Sequence, residues 1–319
     1  MALTHFVAFI FTAGVMIVGM GTVSGQTYPG KPVRIVLSQP GGSTDIVGRL
    51  IAPGLSGSLG QPVIIENRPG VLAIEIVHKS PPDGYTILFY GSALWLAPLL
   101  RDKVSYDAVR DFIPITLANR VPNVLVVHPS LPVKSVKELI ALAKARPGDL
   151  DVASGATGSS THLAAELFKA MAGVNIQRIP YNSATPAVNA LIGGQVHLMF
   201  ASAGTVTSHI KSGRLRAVAV ASLEPSALVP GVPTVAATVP GYEAAVIQGM
   251  WAPAGTPAPI INRLHQEIVR ALTAPDIKEK QFIAGLDVTA SSPEQFAAVI
   301  KADIARMGKV IKDAGIRER

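Results

Sequence analysis

Residues 38–45 read SQPGGSTD and follow an apolar run, VRIVL at 33–37. An apolar-periodic stretch, Ile46-Val47 to Leu50-Ile51, comes next. A strand, a glycine-rich turn and a helix start are therefore packed together. A helix N-terminus presents unpaired N–H groups and a partial positive charge. Glycine lets a ligand approach the backbone closely. Such a loop holds a carboxylate, phosphate or sulfate without needing Arg. The donors here are the backbone N–H groups of Gly42 to Asp45 and the hydroxyls of Ser43 and Thr44. A second loop of the same kind, SGATGSSTH at 154–162, offers Gly158, Ser159, Ser160 and Thr161. The simpler reading is that Ser43/Thr44 and Ser159/Ser160 only cap their helices. Two such loops, one in each half of the chain, favour a ligand. His162 either touches that ligand or joins the helix-start hydrogen bonds.

Enzymatic chemistry finds little support. The chain has no Cys, which excludes disulfides, thiolate catalysis and zinc–thiolate sites. No Gly-x-Ser-x-Gly elbow, Gly-x-Gly-x-x-Gly or Walker lysine pattern occurs. The seven histidines form no His-x-x-x-His or His-Glu-x-x-His pair. No catalytic residue, metal ligand or cofactor site is expected.

The elements that must position these loops alternate in type. Strand patterns fall at 33–37, 63–66, 86–90, 124–128, 150–154, 176–180, 196–200, 215–221 and 246–252. Several are unbroken apolar runs of the kind buried on both faces. Between them lie helical patterns. Ser135 caps VKELIALAKA, Thr161–Ala172 has apolar residues at helical spacing, and Pro257 and Pro293 open two more. Alternation of this kind predicts an α/β fold with parallel sheets covered by helices. Ligands bind at the carboxyl ends of such strands. Two equivalent loops suggest two lobes facing one cleft.

The 319 residues suffice for two cores, and 49% hydrophobic residues with 15% charged mark a folded chain. The net charge of +7 is spread as +2 over 27–122, +3 over 123–249 and +2 over 250–319. Aromatics are only 5%. Nucleic-acid binding, which concentrates basic residues on one face, is not expected. Residues 1–26 carry no Lys, Arg, Asp or Glu, and an apolar run from Phe6 to Met20 leads to GTVSGQ. That is the shape of a signal peptide cleaved after Gly25. A retained membrane anchor is the alternative.

Several segments resemble one family, the Bug-type extracytoplasmic solute receptors of tripartite tricarboxylate transporters. They are YPGKPVRIVL (28–37), LGQPVIIENRPG (59–70), PPDGYTILF (81–89), SGATGSSTHLAAELFKAMAGV (154–174), IPYNSATPAVNALIGGQVHLMF (179–200) and WAPAGTPAPIINRL (251–264). The resemblance spans about residues 28–317. It implies a two-lobed, type II periplasmic-binding-protein fold (Venus flytrap), each lobe a mixed, mostly parallel sheet covered by helices. Lobe 1 would be 27–122 plus 250–319 and lobe 2 would be 123–249. It further implies a monomeric periplasmic receptor that closes over a small organic carboxylate and delivers it to transporter membrane subunits. A ligand sensor feeding a signalling partner and an enzyme on the same fold are the rival readings.

The implied contacts are Gln39, Gly41, Gly42, Ser43, Thr44 and Asp45 in the first loop, and Ser92 after the third strand. In lobe 2 they are Ser154, Gly158, Ser159, Ser160, Tyr181, Asn182, Ala201 and Ser202. The chain departs from the family pattern in four places. The first loop is one residue short, and the loop after Gly70 lacks a glycine-rich insert and runs straight to Val71-Leu72-Ala73-Ile74. Pro53 and Gly54 should kink the first helix. Ala201 stands where an Asp is common, which implies a ligand without an amino group. Trp95, Leu94 and Leu96 are either pocket wall or lobe core. If residues 1–25 are a cleaved signal, mass spectrometry of the mature protein will place its N-terminus near Gln26, and an intact Met1 form held in the inner membrane would reverse that expectation.

Overall fold

The computed structural model describes residues 28–38, 40–68 and 70–317. The expected signal peptide and Gln39 lie outside the described residues. The first half of the chain runs β1 (Val33–Leu37), α1 (Ser43–Leu59), β2 (Val63–Asn67), α2 (Val71–His78), β3 (Thr86–Gly91), α3 (Ala93–Leu100) and β4 (Phe112–Val127). It continues through α4 (Val136–Ala145), β5 (Asp151–Ser154), α5 (Ser160–Ala172), β6 (Gln177–Pro180), α6 (Ala184–Ile192), β7 (Leu198–Ser202), α7 (Ala203–Lys211) and β8 (Arg216–Val220). Then come β9 (Ala245–Pro253), α8 (Ala258–Thr273), α9 (Pro275–Ile283), β10 (Asp287–Val288) and α10 (Pro293–Asp313).

Strand order across the sheet is β2-β1-β3-β9-β4-β7-β5-β6. β1 is parallel to β2 and β3, and β5 is parallel to β6 and β7. β4 is shared between the two halves. Its residues Phe112–Pro122 pair antiparallel with β9, while Asn123–Val127 pair with β7 on one side and Val124–Val127 with β8 on the other. The result is a two-lobed α/β molecule, with each parallel group served by its own helices.

Local chemistry explains the elements. In β1 the side chains of Val33, Ile35 and Leu37 pack with α1 residues Val47, Ile51 and Leu55 and α8 residues Leu264 and Ile268. Val36 points the other way, toward Ala73, Ile74 and Val77 of α2. Burial on both faces is why the strand reads as an unbroken apolar run. Ser135 caps α4 by accepting from Glu138 N–H at 3.2 Å. Ser292 and Gln295 form a capping box at the start of α10, with Pro293 in its first turn. α1 continues through Pro53, which sits on its exposed side.

Trp95, expected as pocket wall or core, is core. It is 2% exposed, lies 5.7 Å from the Trp251 ring, and donates from Nε1 to Asp303 Oδ2 at 2.8 Å. Leu94 is likewise buried.

The middle of β9 has no room for a side chain at Gly249. A Cβ there would overlap the Phe296 ring and come 2.9 Å from Thr116 O. Phe296 is pinned in turn by the Trp251 ring, 4.7 Å away. Gly249→Ala is therefore expected to destabilise the fold by about 1–3 kcal/mol through overpacking. The urea midpoint measures this, and an unchanged midpoint would show that α10 yields freely.

Candidate functional site

The first loop is built around Asp45. Its carboxylate accepts from Gly41 N–H (2.9 Å), Arg49 Nε (2.9 Å) and Asn67 Nδ2 (3.0 Å). Asn67 also donates to Ser38 O at 3.1 Å, which ties the β1–α1 turn to the end of β2. Burial pushes the Asp45 carboxyl up, but Gly41, Arg49 and Asn67 outweigh it and hold the group below its ordinary value. Asp45 and the Gly41 N–H are thus bonded to each other inside the loop. Thr44 is buried, its hydroxyl 3.3 Å from Ser38 Oγ.

Capping does not explain the first loop. The N-cap of α1 is Gly42, and no side chain caps it. Ser43 instead accepts a hydrogen bond from Gln248 Nε2, a buried side chain of β9. Gln248 was not legible as a partner, because it lies 205 residues away in sequence.

The second loop does use its hydroxyls as caps. Ser159 accepts from His162 N–H at 3.4 Å, and Thr161 Oγ1 accepts from Gly155 N–H at 2.8 Å. Gly158 N–H donates to His162 Nδ1 at 3.0 Å. The Gly158 N–H and the Thr161 hydroxyl are therefore spent within the loop rather than offered to a ligand, and His162 is a helix-start residue. Burial drives the His162 ring down to about 4, with the positive charges of Arg178 and Lys169 adding to the effect. Ser154 is fully buried and bonded to Arg178 Nε at 2.7 Å, so it braces the loop from behind. Arg178 also donates to Gly155 O at 3.1 Å. It is the loop's main clamp, and its place in the short strand β6 gave no sign of that role.

The remaining expected residues separate. Ser92 and Ser160 line a small cavity of about 20 Å³ with Asn123 and Arg306, room for one water. Tyr181 N–H donates to Ser154 O at 2.9 Å, and Asn182 is exposed beside it. Ala201 is fully buried in the second core. Ser202 ends β7 and is the N-cap of α7, with its hydroxyl 3.3 Å from Thr205 Oγ1.

The two halves meet across a cleft of about 230 Å³. One wall holds Gly70 and Val71, the N-terminus of α2, with Ile74, Tyr90, Ala93, Ala97, Leu100, Arg101 and Tyr106. The other holds Ala156, Thr157, Gly158 and Ser159, the N-terminus of α5. The stretch after Gly70, expected as a shortened loop, is instead the first turn of α2, with Gly70 as its N-cap. Its first-turn N–H groups have no acceptor within the helix. The N-terminus of α2 therefore faces the loop that leads into α5 across one space, with Arg101 at its border and no Asp or Glu among its described lining residues. A helix N-terminus of this kind favours an anion.

A family model described as "Tripartite tricarboxylate transporter family receptor" matches residues 47–316. Protein BugT of Bordetella pertussis is 37% identical over 316 residues, covering 97% of this chain and 96% of its own. Among solved structures, R. palustris Rpa4515 with adipate has a TM-score of 0.78 and 36% identity, covering 91% of this chain and 99% of that one. MatC (Rpa3494) from Rhodopseudomonas palustris with bound malate has a TM-score of 0.73 and 30% identity, covering 89% and 100%.

The lowered His162 pKa has a consequence for stability. An unfolded chain protonates this ring near 6.5, whereas the folded chain resists until about 4. The unfolded state then binds more protons in that window, so stability is full above 6.5 and falls as pH drops toward 4. His162→Asn keeps an acceptor for Gly158 N–H but does not titrate. Denaturation at several pH values should show a flatter dependence between 6.5 and 4 in this variant, and an unchanged slope would assign the acid sensitivity elsewhere.

Proposed function

The chain belongs to the tripartite tricarboxylate transporter receptor family and is a solute receptor of that transporter class, and from this premise we propose that it is a periplasmic receptor capturing a small organic carboxylate between α2–α3 and the α5 loop. The observation that carries the reading is the α2 N-terminus facing the loop that leads into α5 across a cleft with no carboxylate among its described lining residues. Each comes from a different half of the chain, so one bound anion bridges both. A ligand that contacts both lobes favours the closed arrangement, because only differential affinity shifts a conformational equilibrium.

The lobes are residues 27–122 plus 250–319 and residues 123–249, with the chain passing between them near Pro122/Asn123 and again near β9. β9 pairs with the first part of β4 from Ala245 onward, which draws the second crossing toward Ala244. The receptor works as a monomer, uses no covalent chemistry and hands its ligand to the membrane subunits of the transporter.

An amino acid is a poor fit. Its ammonium would enter a space without a carboxylate to pair with, and an unpaired buried charge is heavily penalised. Ser43, oriented by Gln248, contributes a donor at the mouth of the first loop.

A thermal-shift screen with carboxylates tests this. At a hundred times Kd a ligand should add about 2.7 kcal/mol to stability and raise the melting temperature accordingly. Aspartate and glutamate should give no shift, and Ser43→Ala should weaken carboxylate binding by about 1 kcal/mol. Small-angle scattering should show a more compact particle at saturating ligand. Tight aspartate or glutamate binding with no response to unaminated acids would refute the proposal.

A further inference from the structure

One polar group on the cleft wall is unused by the fold. Tyr106 is 5% exposed, and its phenol oxygen is enclosed without a hydrogen-bond partner. Its ring stacks edge-on against Phe112 at 6.0 Å, which fixes its direction. Tyr90 on the same wall is different, since its hydroxyl donates to Gly70 O at 3.1 Å. Enclosed hydroxyls are nearly always paired in folded proteins, and an unpaired one is destabilising until something meets it. Burial pushes the Tyr106 phenol up, Tyr90 adds to this and Arg101 opposes it. The phenol therefore keeps its proton and can donate it in a hydrogen bond.

The rest of that wall is hydrocarbon: Val71, Ile74, Ala93, Ala97 and Leu100. A ligand hydroxyl laid against these groups would give up water and find no partner. A methylene or an aromatic edge would lose nothing there and gain burial. The polar donors instead sit together, at the α2 N-terminus and Tyr106.

We propose that Tyr106 is the specificity-determining contact of the cleft. It donates to the ligand carboxylate seated at the α2 N-terminus, while the ligand's body, a bare hydrocarbon portion, lies along Ile74, Ala93, Ala97 and Leu100. The chain thereby selects acids without hydroxyl groups over hydroxy acids of the same length. This rests on the solute-receptor reading above and adds the chemistry of the ligand's body to it.

Calorimetry on the purified protein with matched pairs separates the possibilities. The probes are succinate against malate, and adipate against its tetrahydroxy counterpart galactarate. The unsubstituted member of a pair should bind at least tenfold more tightly. Tyr106→Phe should weaken that binding five- to twentyfold and leave the melting temperature of the ligand-free protein unchanged or raised, because its hydroxyl has no partner to lose. Unchanged affinity in Tyr106→Phe, or tighter binding of the hydroxy acids, would overturn this inference alone. If none of the four acids binds, both this inference and the carboxylate-receptor reading fall.

Discussion

A strand carries donors and acceptors along both edges, and every buried one needs a partner. β4 meets that demand over 16 residues by serving two different sets of neighbours. Up to Pro122 its ladder runs to β9, and from Asn123 it runs to β7 and β8. The change of partners falls on Asn123, which is fully buried. Its side-chain Nδ2 donates to Ala244 O at 2.9 Å, and its carbonyl accepts from Ala221 N–H at 2.7 Å. A side-chain amide thus does at the crossing what a regular ladder does elsewhere. Because one strand joins both halves, the carboxyl ends of β1–β3 and of β5–β7 are held around a common space. The α2 N-terminus and the loop that leads into α5 face one another as a consequence.

Ion pairs brace the same crossing. Glu243 receives Arg120 at 2.8 Å and Arg306 at 2.7 Å, so it links β4 to α10. Arg306 also meets Asp303 at 2.8 Å, and Asp303 accepts from the Trp95 indole. Burial alone would lower the Arg306 guanidinium, yet Glu243 and Asp303 more than compensate and hold it raised. Pairs of this sort are costly to break singly, because the remaining partner is left buried and uncompensated. They define how the last helix sits across the junction, rather than adding much to net stability.

Much of the strand pattern was legible in the sequence, because buried parallel strands leave unbroken apolar runs such as VRIVL and VHLMF. The first eleven residues of β4, Phe112–Pro122, were not. Pro114, Asn119, Arg120 and Pro122 read as a break, and the structure absorbs them with register shifts at Pro114/Thr116 and Leu117/Asn119. α2 was read as a loop because VLAIEIVH has no polar face and follows a stretch resembling a turn. In the candidate site, the helix-start loops were readable from glycines and hydroxyls. What could not be read was which donors the protein keeps for itself. Asp45, His162 and Arg178 are local or near-local devices, but their effect is to consume Gly41, Gly158 and Ser154, and that depends on rotamers the spacing does not fix. Gln248 and Tyr106 reach the site through the tertiary fold alone.

The charge pattern then acquires a meaning that a net value of +7 lacks. Several carboxylates near the site are committed: Asp45 to Arg49 and Asn67, Glu66 to Arg34 and Arg68, Glu166 to Lys169, while Glu75, which accepts from Ser105, borders the adjoining cavity with Val71 and Arg101. None stands among the described residues of the cleft lining. His162 stays neutral and so adds no positive charge either. The field in the cleft therefore owes more to backbone dipoles than to a surface excess of lysines. Such dipoles are fixed in place and partly withdrawn from solvent, and salt screens them much less than it screens exposed charges. A receptor built this way takes its anion by local geometry and holds it against the ionic strength around it.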